Sequence, residues 1–406
     1  MTRNCKNQLW KIFNKIKRPL FFPIYLFIYF ILIIFPQDKN KLLKKKIKNI
    51  HFITFSKSSS VSFVAIAIRE ILKKDFNTSI WHIPESIPLL NRILDAFKFE
   101  FPLKGAVNIF VANPNIIHHF ILRMKLNFLK HTYNIGLWFW ELPAIPLHWK
   151  LSSKFMNEIW VYSDFNKEIF KPLNSNIHKI PFAIELKVIP KFDRTYFNLP
   201  LKPFIFLFTF DFSSYFSRKN PLAVIQAFKK AFGLSEHVCL VIKSVRADVF
   251  KSQMELLKTS TEGAKNILLI DKFFSNEEQA SFLNCCDCYV SLHRAEGLGL
   301  GMAEAMYLNK PVIATNYSGN LEFMNTSNSC LVDFNLIKVN RHEYIGANSS
   351  QLWADPDIAQ ASNFMIKVYT NKKFRDKIAK KASQDIKSKY SKAMQRKVIL
   401  SRLKVI

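Results

Sequence analysis

Apolar residues in this chain gather in short runs, and between the runs they recur at three- and four-residue spacings. Two periods therefore alternate, that of a buried strand and that of a helix. Asn49–Phe55 (NIHFITF) reads as a short buried strand. A serine run follows, then an apolar helical pattern over residues 61–72. Residues 107–112, 134–138 and 158–162 predict further strands with helical segments between them. A second alternation opens at residues 204–208 and continues through 238–243, 266–269, 288–292 and 311–315. Residues 185–203 (ELKVIPKFDRTYFNLPLKP) separate the two series and have little periodicity, so they read as a linker. Strands alternating with helices argue for parallel sheets covered on both faces. The expected architecture is α/β, with two doubly wound domains, residues 49–190 and 200–385, facing a cleft. Ligands are expected at the carboxyl ends of the strands. The basic tail from Asn371 reads as helical, with residues 386–406 expected to cross back to the first domain.

One apolar run fits neither period. Residues 20–35 (LFFPIYLFIYFILIIF) carry no charge, and as a helix they would span about 24 Å against a hydrocarbon core of about 30 Å. Pro23 interrupts the run, and no small-residue cleavage site follows it. Arg3, Lys6, Lys11, Lys15, Lys17 and Arg18 precede it; Lys39, Lys41, Lys44, Lys45, Lys46 and Lys48 follow. Basic flanks on both sides give no inside-outside asymmetry. Residues 1–48 are therefore expected to associate with an anionic membrane surface on its cytoplasmic face, dipping in or making a single span.

Charge extends this picture to the whole chain. The 406 residues carry a net charge of +29, which calls for an anionic partner or reflects a lysine-rich composition throughout. No helix-turn-helix, zinc-finger or RNA-binding motif accompanies it, so no nucleic acid is expected, although a basic nucleic-acid-binding protein stays an alternative. Cys285 and Cys288 form a CxxC without a second pair of ligands, and they run into an apolar strand. They read as buried free thiols, and no metal site is expected.

The densest candidate chemistry is RAEGLGLGMAEAM, residues 294–306. Three of the nine glycines, Gly297, Gly299 and Gly301, lie here between Glu296 and Glu304. A strand ends just before them, and a helix is expected from about Ala303, with Glu304 in its first turn. Backbone N–H groups at such a junction favour a phosphate, and glycine lets the backbone come close. Two other readings stay open at this point: a displaced dinucleotide fingerprint with Glu322 downstream, and an ordinary acidic helix start. Arg218 and Lys219 stand just before Asn220 and Pro221, read as a helix cap and first residue. Cations there are unfavourable unless an anion sits between them. Asp355-Pro356-Asp357 imitates a metal-binding DxD but reads as a helix start, with Asp355 as cap.

Around these residues the C-terminal half resembles the retaining glycosyltransferases of the GT-B type, family four. Glu296 and Glu304 match that family's Glu-x7-Glu signature, within CDCYVSLHRAEG, KPVIATNYSGNLEFMN and WADPD. YNIGLWFWELPAIPLHW and EIWVYSDF resemble the first half of one subgroup. The resemblance implies a GT-B fold and transfer of a sugar from a UDP- or GDP-sugar to a glycan or lipid-linked acceptor, with retention and without a metal or cofactor. It implies that Glu304 holds the ribose and Glu296 the transferred sugar. Arg218, Lys219 and Lys243 would stabilise the leaving diphosphate, with Gly297, Leu298, Gly299 and Leu300 forming the donor loop. Glu141 is a further candidate at the reacting centre, and His293 a candidate sugar contact. Residues 56–61 (SKSSSV) lack the glycines many relatives carry after the first strand, so a catalytically degenerate homologue acting as a binding protein is the alternative.

Overall fold

A computed structural model describes residues 47–55, 60–83, 106–114, 132–146, 149–340, 342–344 and 350–406. Most of the N-terminal segment and most of the serine loop lie outside the described residues, so the expectations placed on them are not addressed. Among the described residues no helix is long and apolar enough to cross a membrane.

The first sheet contains β1 (Asn49–Phe55), β2 (Asn77–Ile83), β3 (Ala106–Val111), β4 (Tyr133–Leu137), β5 (Glu158–Val161) and β6 (Ile177–Lys179), in the order β2-β1-β3-β4-β5-β6. β1 runs parallel to both β2 and β3. Its connection is α1 (Ser60–Leu72), which buries Ala65, Ile68 and Leu72 and so shows the helical spacing read from the sequence. β2 (NTSIWHI) was not expected, because its half-polar sequence lacks the continuous apolar run of its neighbours. The short helices α2 (Trp149–Ser153) and α3 (Asp164–Phe170) follow β4 and β5.

The second sheet has β7 (Phe204–Thr209), β8 (Val238–Ser244), β9 (Ile267–Asp271), β10 (Cys288–Ser291), β11 (Val312–Thr315) and β12 (Cys330–Val332). Its order is β12-β11-β10-β7-β8-β9, all parallel. Every predicted strand of this half is present, within two residues at each end. Phe206 and Phe208 of β7 pack with Leu240, Ile242 and Val290 beneath Val224 and Phe228. Those last two lie on α5 (Pro221–Phe232), which follows a single turn, α4 (Phe216–Lys219). α6 (Lys251–Thr261), α7 (Asn276–Cys285) and α8 (Leu300–Tyr307) make the later crossovers. An antiparallel hairpin, β13 (Phe334–Lys338) and β14 (Leu352–Pro356), follows β12, and the chain ends in α9 (Ile358–Thr370), α10 (Lys372–Lys389) and α11 (Lys392–Leu403).

The chain order reverses between β7 and β10, and that reversal opens a crevice at their carboxyl ends. The loops after these two strands are where Arg218, Lys219 and Glu296 lie.

Two compact units divide the chain, residues 1–136 with 148–159, and residues 137–147 with 160–406. The stretch read as a linker has no regular structure but is firmly packed. Phe197 and Leu199 are buried, and the Arg194 guanidinium binds Asp287 at 2.7 Å and the carbonyls of Cys285, Leu201 and Pro203. In the tail, Gln395 of α11 donates to the Pro181 carbonyl at 2.8 Å, and the Tyr390 ring stacks on Phe182.

Candidate active site

Three bonds stitch the two crevice loops together. Asn220 donates its amide to the Leu292 carbonyl (3.0 Å), Arg294 N–H donates to the Arg218 carbonyl (2.8 Å), and the Arg218 guanidinium donates to the Ala295 carbonyl (2.8 Å). Asn220 does precede α5, with Pro221 as its first residue, but its side chain caps nothing and ties β10 to α4 instead. Its backbone is left-handed, and it ends α4, whose last two residues are the basic pair.

The anion that Arg218 and Lys219 need is Glu296. Its carboxylate accepts from Lys219 in a short contact and lies 3.2 Å from the Arg218 guanidinium. Arg218 is 3.8 Å from Glu141 on its other side. Burial alone would push the Glu296 carboxyl up, but Lys219 and Arg218 outweigh it and hold the group down at about 2. Burial works against the Arg218 charge too, yet Glu296 and Glu141 keep the guanidinium firmly protonated. Two cations and two carboxylates thus form a charge-balanced cluster in which Arg218 and Glu296 are buried while Lys219 and Glu141 are partly buried.

The backbone around Glu296 is equally fixed. Its N–H donates to Ser318 Oγ (2.8 Å), and its carbonyl accepts from Gly319 N–H (2.9 Å). A Cβ on Gly319 would lie 2.1 Å from the Gly297 carbonyl oxygen, so only glycine fits between these loops. Gly299 caps α8 with φ of 89°, the left-handed conformation a turn into a helix without a side-chain cap requires here. Leu298 is buried, and Leu300 is exposed at the helix start.

α8 begins at Leu300, three residues before the position read from the sequence, because Gly299 turns the chain early. Glu304 consequently lies in the second turn of the helix, not the first. It is half-buried, and no hydrogen bond or ion pair to it is found among the described residues. Burial alone raises its carboxyl to about 7. Lys243 stands one residue from the end of β8, beside Thr209 of β7. Burial lowers its ammonium against the pull of Asp271 and Asp211, and it lies over the Phe274 ring.

His293 does not line open space. It is fully enclosed, with Nδ1 3.1 Å from Ser291 Oγ and Nε2 3.2 Å from both the Tyr317 carbonyl and Asn320 Oδ1. Those two acceptors assign the proton to Nε2, and burial holds the ring below its ordinary value. The candidate sugar contact is thus placed as a packed, hydrogen-bonded histidine. Trp138 and Trp140 are buried as well, and Trp140 donates its indole N–H to the Ala144 carbonyl. Asp355 lies within β14 and pairs with Arg294 (3.2 Å), while Asp357, not Asp355, caps α9. Burial raises the Cys285, Cys286 and Cys288 thiols, in keeping with inert packing.

Tyr344 was missed altogether. It lies between the hairpin strands, is almost fully buried, and donates its hydroxyl to Glu141 in a short contact. Nothing in a stretch without periodicity marked it, and 203 positions separate it from its partner. The roles of Ser318 and Gly319, though both lie in KPVIATNYSGNLEFMN, could not be read from it, since they depend on how loops from β10 and β11 meet.

Residues 192–385 match the family described as glycosyl transferases group 1. No curated protein matches the chain. Among solved structures, Anabaena HepE in complex with UDP and glucose is similar with a TM-score of 0.64 and 12% identity, over 88% of this chain and 100% of that one. A glycosyltransferase from Rickettsia africae gives 0.61 and 15%, over 89% and 98%. A TarM mutant of S. aureus, crystallised with fondaparinux, alpha-GlcNAc-glycerol and UDP, gives 0.57 and 16%, over 77% and 59%. At these identities the likeness is one of fold, two Rossmann-like domains of the GT-B type.

Proposed function

We propose that this chain, whose residues 192–385 match the group 1 glycosyltransferases, moves a hexosyl group from a nucleotide-sugar donor to a glycan or lipid-linked acceptor. The observation that carries this reading is the buried cluster at the β7–β10 crossover, where Arg218 and Lys219 hold a carboxylate that a diphosphate can replace. Entry of the donor exchanges Glu296 for phosphate oxygens on the two cations. Glu296 is thereby released toward the sugar hydroxyls. The anomeric C–O bond to the diphosphate breaks, a new bond forms to the acceptor oxygen as its hydroxyl proton passes to the departing phosphate, and the cations stabilise the negative charge that the leaving nucleotide gains. Lys243 adds to that charge, so the chain's own residues fill the role of a divalent cation, and we assign the reaction as metal-independent and retaining.

Among the described residues the Glu304 side chain has no hydrogen bond or ion pair, and it lies in the helix that starts at the glycine loop; we assign it to the ribose hydroxyls. UDP is the preferred nucleotide, since HepE and TarM are both described with it bound. Residues 49–190 are assigned to the acceptor and residues 200–385 to the donor. Residues 1–48 attach the enzyme to the cytoplasmic face of an anionic membrane, next to its acceptor.

Titration calorimetry of the full chain in detergent with UDP, GDP and ADP tests this directly. Binding of UDP or GDP that weakens at least tenfold in Arg218→Met is expected. Equal affinity of wild type and variant, or no binding of any nucleotide, would remove the donor assignment.

A further inference from the structure

Glu141 poses a problem for the site. It lies in the same buried cluster as Arg218, and a free carboxylate beside a buried guanidinium would be expected to form a bidentate pair with it. It does not. One carboxylate oxygen accepts from Tyr344, and the other stays 3.8 Å from Arg218, beyond hydrogen-bond distance.

Two rings pack against Tyr344. Its ring lies edge-on to Trp140 at 5.3 Å and 4.5 Å from Tyr215. The hairpin itself is fastened to the same segment, since Gln351 donates its amide to the Ala144 carbonyl (2.6 Å) and Val339 N–H donates to the Gln351 carbonyl (2.9 Å). Arg294, next to the glycine loop, accepts at its carbonyl from Ala354 N–H (2.9 Å) and pairs with Asp355. A phenol fixed by two rings and a fastened hairpin is a better anchor for a carboxylate than solvent is.

We propose that Tyr344 is a positioning residue: its hydroxyl holds Glu141 turned away from Arg218 and so keeps the guanidinium available to the donor's diphosphate. This rests on the nucleotide-sugar reading above. Without the hydroxyl, Glu141 rotates onto Arg218. The guanidinium then has two carboxylates to lose before it can bind phosphate, where in the wild-type protein it has one.

The test is calorimetric titration of the full chain with UDP and GDP, using wild type, Tyr344→Phe, Glu141→Gln and the double variant. Phenylalanine keeps the ring packing and removes only the hydroxyl. Tyr344→Phe is expected to bind nucleotide about tenfold more weakly, the scale of one charged hydrogen bond. Glu141→Gln should bind at least as tightly as wild type, and the double variant should match Glu141→Gln, because the hydroxyl then has no carboxylate to hold. Wild-type affinity in Tyr344→Phe overturns the proposal. So does an equal loss in the presence and absence of Glu141→Gln, the pattern a merely structural tyrosine gives. Failure of the wild-type protein to bind either nucleotide removes the donor reading, and the positioning role falls with it.

Discussion

The two ends of the glycine loop hold the same residue in opposite states. Glu296, on the strand side, is bonded by backbone and side chain to four other residues and is held down at about 2. Glu304, on the helix side, has no side-chain partner among the described residues and is raised to about 7 by burial. Burial pushes both upward. What separates them is two cations, Arg218 and Lys219, which the β7 loop brings to one end and not the other. The lesson is that the Glu-x7-Glu spacing fixes where two carboxylates fall but says nothing of their charge. One is held between two cations, and the other has no side-chain hydrogen bond or ion pair among the described residues.

Breaking the strand side should have the larger effects. Gly319→Ala forces a Cβ onto the Gly297 backbone and should cost about 3 kcal/mol or more, or prevent folding, as read by urea denaturation. Wild-type stability in that variant would show that the loops separate freely. Glu296→Gln leaves Arg218 and Lys219 buried without their carboxylate and should cost about 3 kcal/mol. Added UDP should then stabilise the variant more than it stabilises the wild type, while transfer is lost. A variant that melts with the wild type in the absence of nucleotide would mean the cluster is not what holds these loops.

The helix side should respond to pH with the opposite sign. Glu304 is raised from 4.5 to about 7, so the folded form keeps its proton longer than the unfolded form does. Its contribution is therefore present below pH 4.5 and lost as pH rises toward 7. Glu304→Gln should gain about 2 kcal/mol over wild type at pH 8 and nothing at pH 4.5, allowing for its partial exposure. Glu296 gives the reverse, with stability present above pH 4.5 and lost as pH falls toward 2. Parallel pH curves for wild type and Glu304→Gln would remove the contrast. At the small end, Lys372→Ala breaks an exposed ion pair with Asp376 and should change stability by less than about 0.5 kcal/mol. A larger change would show that exposed charge in the tail also carries stability.

How far the sequence reaches can be judged element by element. β7 to β11 were legible because each is a continuous apolar run, and strands buried on both faces need such runs whatever surrounds them. β2, β13 and β14 were not, since their residues alternate or are largely polar and only pairing makes them strands. Arg218, Lys219, Glu296 and Glu304 were picked out by residue type and by position next to helix starts. The sequence placed an anion between the cations but could not say which one, and Glu296 is 77 positions away from Lys219.

By itself, then, the sequence determined the alternation of strands and helices, the two sheets, and the loop where acids and glycines meet, because each of these is a local pattern of burial or backbone freedom. The tertiary structure alone decided that Glu296 is paired and Glu304 is not, that Gly319 must lack a side chain, that His293 is enclosed, and that Tyr344 reaches Glu141. All four depend on distances between segments far apart in the chain, and ionisation and steric fit are set by those distances, not by spacing along the sequence.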